Sequence, residues 1–300
     1  MEANLQRRVQ RYGWDKAAVY YEAFWHTQLA PAQQRMLELA ALQPGERVLD
    51  LACGTGLVTF PAAEAVGPSG EVLGTDLSQG MIDLVREIAA QRGVTNVVFD
   101  RMDAEDLGAL ADATFDATIC ALGLMYVPDV LRSLQEQFRV LKPGGRAAAA
   151  VWGQRDRCGW AEIFPIVESR INSEVCPMFF QTGTKDVLAQ TMTMAGFASV
   201  VHERLDSPLH YESDEEAIGA AFLGGPVALA YARMDEPVRE SAHEEYLASI
   251  APYRNGKGYD VPGEFVIARG GRVELVHRAQ FCEDFPPTGV LLGAIAGARA

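Results

Sequence analysis

A short apolar segment that runs directly into a glycine loop constrains the fold of this chain more than any other feature. Residues 48–53 are mostly apolar, and Gly54 and Gly56 follow at once. A buried parallel strand that turns sharply into a helix has this composition, and the glycines stand where a backbone must pass close to a ligand. Taken alone, the two glycines are explained equally well by a plain strand-to-helix turn.

Strand-like and helix-like segments alternate after this loop. Four further apolar runs have the length and composition of buried strands, at residues 72–76, 97–101, 115–121 and 146–152. Helical spacing separates most of them, notably at residues 80–92 and 130–141. This alternation predicts an α/β fold with a doubly wound, mostly parallel sheet.

The chain divides into five segments around that sheet. The first 44 residues have the apolar spacing of two helices. Two further strands are predicted at residues 199–205 and 264–268, and a helix-rich insert separates them. We expect an N-terminal helical cap, a ligand-binding core, a cap insert, a last core strand and a tail, at residues 1–44, 45–205, 206–263, 264–270 and 271–300.

Composition and charge disfavour several classes of function. The formal net charge is −14, and the clustered Lys and Arg of a nucleic-acid binder are missing from the sequence, so a small molecule is the expected partner. No apolar run approaches the roughly 18 residues that span a bilayer, and the first residues lack a signal-peptide core. We therefore expect a cytoplasmic protein without a membrane partner; a homodimer is left open.

The five cysteines are scattered, and no pair has the spacing of a zinc site or a redox dithiol. Reduced thiols and no bound metal are expected. Cys53 and Cys120 have no histidine nearby in the sequence that would activate them, so both are interpreted as small buried residues at strand ends.

The residues around the glycine loop distinguish between two kinds of nucleotide ligand. A dinucleotide-binding loop would continue to a third glycine at position 59, where this chain has Thr59. Asp50 precedes the loop, and its carboxylate suits a cationic group better than a pyrophosphate. Asp50 has a second explanation, as an acceptor that satisfies the backbone of the loop.

Acidic residues also end the next two predicted strands. Asp76 lies twenty residues after Gly56, where a carboxylate accepts hydrogen bonds from both hydroxyls of a ribose, although NAD enzymes use an acid here too. Asp103 follows the third strand and can accept from an adenine amino group. Leu77 and Met81 would supply apolar contacts to the adenine ring.

These motifs resemble those of the class I S-adenosylmethionine-dependent methyltransferases, in particular the small-molecule branch related to ubiquinone and menaquinone biosynthesis. The matching stretches lie in the expected order within about residues 33–152: VLDLACGTG at 48–56, GTDLSQGMI at 74–82, RMDAEDL at 101–107, FDATICALGLMYVPD at 115–129 and LKPGG at 141–145. The set is specific, although each motif alone is weak. The resemblance implies a Rossmann-like sheet of seven strands whose last strand is antiparallel.

The resemblance also implies which residues bind the cofactor, S-adenosylmethionine. In this chain they are Tyr20, Asp50, Ala52, Cys53, Gly54, Thr55, Gly56, Asp76, Leu77, Met81, Asp103, Ala104, Glu105 and Ala121. Asp50, Ala52 and Gly54 would line the methionyl end, and Ala121 would lie near the transferred methyl. In similar enzymes the N-terminal segment folds over the cofactor, so Tyr20 or Tyr21 would touch the methionyl carboxylate; simple packing on the core is the alternative.

The acceptor side is less defined. Many relatives carry His or Asn where this chain has residues 124–126, so Tyr126 is only a weak catalytic candidate and the catalytic residues stay unknown. We expect the N-terminal helices and the insert to close over the sheet edge around an apolar acceptor pocket. Its predicted wall residues are Trp25, Tyr126, Phe222 and Tyr231.

The leading functional hypothesis is in-line methyl transfer from S-adenosylmethionine to O, N or C of a small organic metabolite, with S-adenosylhomocysteine as product. One alternative is a protein or RNA methyltransferase on the same fold. Another is a dinucleotide-dependent oxidoreductase or a non-catalytic binding protein on the same fold; Thr59 disfavours the oxidoreductase.

Overall fold

The computed structural model describes residues 3–171 and 179–272. Their ten strands are β1 (Arg47–Leu51), β2 (Glu71–Asp76), β3 (Val97–Arg101), β4 (Phe115–Ala121), β5 (Leu141–Trp152), β6 (Ala198–Asp206), β7 (Leu209–Tyr211), β8 (Arg254–Asn255), β9 (Gly258–Val261) and β10 (Glu264–Gly271). The α-helices are α1 (Ala3–Ala40), α2 (Thr59–Val66), α3 (Gln79–Arg92), α4 (Val130–Val140), α5 (Ile163–Glu168), α6 (Val187–Met194), α7 (Asp214–Ile218), α8 (Ala228–Tyr231) and α9 (Glu236–Ile250). Cys176, Cys282 and the predicted tail from residue 273 onward lie outside the described residues.

The main sheet has seven strands in the order β3-β2-β1-β4-β5-β10-β6. Strands β1 to β5 pair in parallel, and β10 is antiparallel to both of its neighbours, β5 and β6. The predicted doubly wound, seven-stranded, mostly parallel sheet with an antiparallel last strand is thus confirmed.

Burial on both faces explains the apolar composition of the central strands. Val48, Leu49 and Leu51 of β1 are fully buried, and residues 147–151 of β5 are at most 1% exposed. Helices cover both faces of such a sheet, so its strands carry almost continuous apolar runs. Since β1 lies between β2 and β4, the strand order reverses there, and a crevice forms at the carboxyl ends of these strands.

The N-terminal segment differs from the prediction of two helices. It is a single helix, α1, of 38 residues that continues through Pro31. A proline inside a helix removes one backbone hydrogen bond and favours a break. Here Leu29, Ala32 and Met36 are all at most 2% exposed, so both sides of the proline are anchored on the core.

The insert contains more structure than its sequence suggested. In addition to α7, α8 and α9, it forms β8 and β9, which join β7 in a second, antiparallel sheet of order β7-β9-β8. These strands are two to four residues long, too short for a recognisable period-2 pattern. Among the described residues, no helix is long and apolar enough to cross a bilayer.

Candidate active site

A cavity opens at the carboxyl ends of β1, β2 and β4, where the strand order reverses. It encloses about 1040 Å³ of empty space, its open mouth included. Side chains of α1 form one wall, and Gly225 and Pro226 of the insert contribute another part.

Nine of the fourteen predicted cofactor residues line this cavity: Ala52, Gly54, Asp76, Leu77, Met81, Asp103, Ala104, Glu105 and Ala121. Tyr126 lines it too. The five others, Tyr20, Asp50, Cys53, Thr55 and Gly56, are not among the lining residues. The parallel register of the sheet brings the separate strand ends together, because parallel strands end at the same edge.

The two glycines of the loop have different surroundings. Both adopt a positive φ, 54° at Gly54 and 87° at Gly56. A Cβ at Gly54 would meet only Tyr21, at 3.9 Å, so this position is open toward the cavity. A Cβ at Gly56 would lie 2.5 Å from Phe60 and 2.9 Å from Val85, so this glycine permits packing of the loop against α2 and α3.

Asp76 is oriented by the backbone of its neighbours. Its carboxylate accepts hydrogen bonds from the backbone N–H of Gly54 at 3.0 Å and of Ser78 at 2.8 Å. A carboxylate has about four lone-pair sites, so acceptor capacity remains on the cavity side for two ligand hydroxyls. Burial raises the pKa of Asp76 to about 6, and the two backbone donors limit the rise.

Asp50 points beneath the loop rather than into the cavity. It is 1% exposed and accepts a 2.6 Å hydrogen bond from the hydroxyl of Thr59. Thr59 therefore occupies the position of the missing third glycine and also serves as the donor to Asp50. Burial raises the pKa of Asp50 to about 7; the Thr59 hydrogen bond opposes this rise, and the charge of Asp76 adds to it.

A basic side chain from α1 meets the acids at the end of β3. Arg7 lies 3.0 Å from the carboxylate of Asp103 and 2.8 Å from that of Glu105. Glu105 also accepts from the backbone N–H of Asp129 at 2.7 Å, and burial raises its pKa. Both oxygens of Glu105 are thus engaged within the protein. Asp103 also accepts from the backbone N–H of Glu105 at 2.9 Å, but its side chain is 27% exposed and lines the cavity.

Sequence reasoning missed most of the α1 wall. Arg7, Gln10, Trp14, Tyr21, Trp25 and Leu29 all line the cavity. Their spacing of three, four or seven residues places them on one face of a helix, and this periodicity was the available signal. Tyr21 faces the cavity, and burial together with the charge of Asp76 raises the pKa of its hydroxyl, which stays a donor at neutral pH. The neighbouring Tyr20 is 42% exposed.

The end of the cavity beyond Ala121 is aromatic. The ring of Trp152, at the end of β5, lies 6.2 Å from that of Trp25 and 4.8 Å from that of Trp160. Phe179 contacts both Trp160, at 5.6 Å between ring centroids, and Tyr126, at 5.3 Å. Among the described residues, the charged side chains that line the cavity are Arg7, Asp76, Asp103 and Glu105, all on the strand-end side.

Two predicted wall residues lie elsewhere. Phe222 is fully buried and packs with Tyr231, whose hydroxyl lies 3.0 Å from the Nε2 of His243. This group forms the core of the insert rather than the cavity wall.

Burial raises the pKa of the thiols of Cys53 and Cys120, so neither is a thiolate at neutral pH.

The site has the features of a doubly wound enzyme that binds a nucleoside-type cofactor where the strand order reverses. These features are the sheet order, the open glycine after β1 and the acids after β2 and β3. Comparisons with known proteins identify the family. A methyltransferase domain matches residues 42–161. The aklanonic acid methyltransferase DauC of Streptomyces sp. strain C5 is 33% identical over 148 residues, which are 49% of this chain and 67% of that protein.

A demethylmenaquinone methyltransferase of Listeria monocytogenes is 36% identical over 132 residues, 44% of this chain and 55% of that protein. The chain therefore spans between half and two thirds of the length of these relatives. Among solved structures, the YcgJ protein from Bacillus subtilis superposes with a TM-score of 0.57 at 20% identity, covering 82% of this chain and 100% of that one, which shows a shared fold.

The chain belongs to the S-adenosylmethionine-dependent methyltransferases. It is accordingly an enzyme with S-adenosylmethionine as its cofactor, as the sequence predicted. The cavity fits this cofactor, because Gly54 leaves the wall open beside Asp76 and the carboxylate of Asp76 retains free acceptor positions.

Proposed function

We propose that this enzyme methylates a small, planar organic molecule. The part of this molecule that enters the aromatic end of the cavity carries no charge. The observation that carries the proposal is the aromatic end of the cavity, where Trp25, Trp152, Trp160 and Phe179 are all at most 7% exposed. Flat indole and phenyl faces bury the faces of planar ligands efficiently, and a charged acceptor would lose its hydration there without a partner.

The cofactor would be held at the opposite end. We propose that Asp76 accepts from the ribose hydroxyls, that Asp103 accepts from the adenine amine, and that Gly54 and Tyr21 lie against the methionyl part. When bound, S-adenosylmethionine supplies an electrophilic methyl group that passes to a nucleophilic atom of the acceptor, while the sulfur keeps the electron pair of the broken bond. S-adenosylhomocysteine is the product.

The chain itself would mainly position the two reactants and exclude water. We propose that residues 1–44 and the insert at residues 206–263 act as caps over the core. In support, α1 supplies six residues of the wall, and the turn at Gly225 and Pro226 lies at the cavity. No catalytic base is assigned; Tyr126 stays a candidate, since it lines the cavity between the strand ends and the aromatic end.

The names of the relatives support a small-molecule acceptor. Aklanonic acid and demethylmenaquinone are small organic compounds rather than protein or nucleic acid. The net charge of −14 also disfavours a polyanionic RNA substrate.

Two measurements test this proposal. Calorimetry with S-adenosylhomocysteine, NAD and NADP should show binding of the first alone. Incubation with S-adenosylmethionine and a panel of planar phenols, naphthols and small aliphatic amines, followed by mass spectrometry, should show the gain of one methyl on planar members. Methylation of the amines but of none of the planar compounds would contradict the proposed acceptor class.

A further inference from the structure

Asp15 of α1 makes hydrogen bonds that lead toward the cofactor end of the cavity. Its Oδ1 accepts from the hydroxyl of Ser78 at 2.5 Å and from the backbone N–H of Gly80 at 3.0 Å. Both partners lie at the N-terminus of α3, where the first backbone N–H groups have no acceptor within the helix and the helix dipole favours a carboxylate. Helix α1 is therefore attached to α3 at the point where α3 begins.

Ser78 connects this contact to the predicted ribose site. Its hydroxyl oxygen accepts from the backbone N–H of Met81 at 3.1 Å and so caps α3. Its own backbone N–H donates to the carboxylate of Asp76 at 2.8 Å. Ser78 thus lies between two carboxylates, that of Asp15 on α1 and that of Asp76 in the cavity.

The two helices approach each other closely at this contact. A Cβ at Gly80 would lie 3.3 Å from the Oδ1 of Asp15 and 3.4 Å from its Cα, which is tighter than most side-chain contacts. Trp14, the neighbour of Asp15, lines the cavity, and its ring lies 5.6 Å from that of Tyr21 and 5.2 Å from that of Tyr126. The same turn of α1 therefore carries both the contact with α3 and part of the cavity wall.

We infer that Asp15 is a positioning residue for the cofactor, which fixes Ser78 and thereby holds the Asp76 carboxylate in the geometry that the ribose hydroxyls require. One oxygen of Asp76 accepts from Gly54 and the other from Ser78, so movement of Ser78 reorients the carboxylate. Hydrogen bonds weaken steeply as their angle departs from the preferred one. Asp15 is not among the residues that line the cavity, so it acts through its neighbours. The inference rests on the proposed contact between Asp76 and the ribose.

The test compares S-adenosylhomocysteine with its 2′,3′-dideoxyribose analogue, which lacks both ribose hydroxyls. Each ligand is titrated into the intact chain by calorimetry at about pH 8. Asp15 also raises the pKa of Asp76, to about 6, so at this pH Asp76 is ionised whether or not Asp15 is present. The wild type should bind S-adenosylhomocysteine at least about tenfold more tightly than the analogue, and Asp76→Asn should lose most of this ratio.

Two substitutions break the contact from opposite sides. Asp15→Ala and Ser78→Ala should each reduce the ratio about threefold or more, and the double variant should match Ser78→Ala, because the two residues act through one contact. Asp15→Asn keeps an oxygen that accepts from Ser78 and Gly80, so it should retain most of the wild-type ratio. The control Glu22→Ala removes a different contact between α1 and α3, the 3.1 Å ion pair with Arg92, and should leave the ratio unchanged.

The ratio distinguishes positioning from a general loss of structure, which would weaken both ligands alike. An unchanged ratio in both Asp15→Ala and Ser78→Ala would overturn the inference, and a reduced ratio in Asp76→Asn would then still support the ribose contact. A reduction in Glu22→Ala as large as in Asp15→Ala would also overturn it. If the wild type binds the two ligands equally, the ribose contact itself fails, and the inference fails with it.

Discussion

Ionisation of Asp50 should make the stability of the ligand-free enzyme depend strongly on pH. Burial raises the pKa of this carboxyl from 3.8 to about 7. Between these values the unfolded chain carries the charge and the folded protein does not, so unfolding releases a proton and becomes more favourable as the pH rises. One pKa unit corresponds to about 1.4 kcal/mol, so this group alone lowers the free energy of unfolding by about 4 kcal/mol across that window.

The substitution Asp50→Asn isolates this contribution. Asparagine still offers an oxygen to the hydroxyl of Thr59, 2.6 Å away in the wild type, but it does not titrate. The variant should be similar to the wild type in stability near about pH 4 and more stable by about 4 kcal/mol above about pH 7.5. Urea denaturation of both proteins at several pH values measures the difference, in which titrating groups that do not interact with Asp50 cancel.

A matched variant tests the cause. Thr59→Val removes the hydrogen bond that favours the charged carboxylate, so the loss of stability should extend to higher pH than in the wild type. If the difference between wild type and Asp50→Asn is the same at pH 4 and pH 8, Asp50 is not held uncharged by burial and the reasoning is refuted.

Three further predictions concern the cofactor end. Asp76→Asn should weaken binding of S-adenosylhomocysteine by about 2–3 kcal/mol, because hydrogen bonds to a charged carboxylate are lost. The affinity of the wild type should fall as the pH drops below about 6, where the carboxylate of Asp76 protonates. An unaltered affinity of the variant in calorimetry would exclude the ribose role. Gly54→Ala should lose cofactor affinity and lower the melting temperature only by the strain of its positive φ, whereas Gly56→Ala should lower the melting temperature further because its Cβ would also overlap neighbouring side chains. Melting curves and calorimetry separate the two effects, and the reverse pattern would contradict the assignment. Arg7→Gln should speed release of S-adenosylhomocysteine several-fold in stopped-flow experiments, because α1 loses its ion pairs to the end of β3. The control Arg8→Gln, on the exposed face of α1, should leave the release rate unchanged. Equal release rates in the two variants would show that the ion pairs of Arg7 do not hold α1 over the cofactor.

The sequence by itself determined the sheet and the cofactor family. In the cofactor half of the core, a strand is followed directly in the sequence by its turn and its acidic residue. Local sequence patterns therefore predict all three. Glycines at positions 54 and 56, the acid Asp76 and the acid Asp103 recur at the ends of three parallel strands, and parallel strands necessarily bring their ends to one edge. This is why nine predicted residues converge on one cavity.

Only the tertiary structure decided which side chains face that cavity. Asp50 and Gly56 belong to the glycine loop but do not line the cavity. Asp50 accepts a hydrogen bond from Thr59, and Gly56 lies against the ring of Phe60. Tyr20 and Tyr21 are adjacent in α1, and a rotation of about 100° per helical residue separates their directions. Periodicity places Tyr21 on one face of α1 with Trp14 and Trp25, but only the packing of α1 on the core turns that face toward the cavity.

The acceptor end depends on contacts between segments far apart in the chain. Trp25 meets Trp160, and Phe179 meets Tyr126, only after α1, β5 and the following loops have packed together. The turn at Gly225 and Pro226 comes from an insert whose short strands carry no periodic signal. Local sequence patterns reflect the backbone geometry of single elements, whereas a pocket between elements is created by long-range packing, which is why the sequence identified the cofactor and the structure was needed for the acceptor.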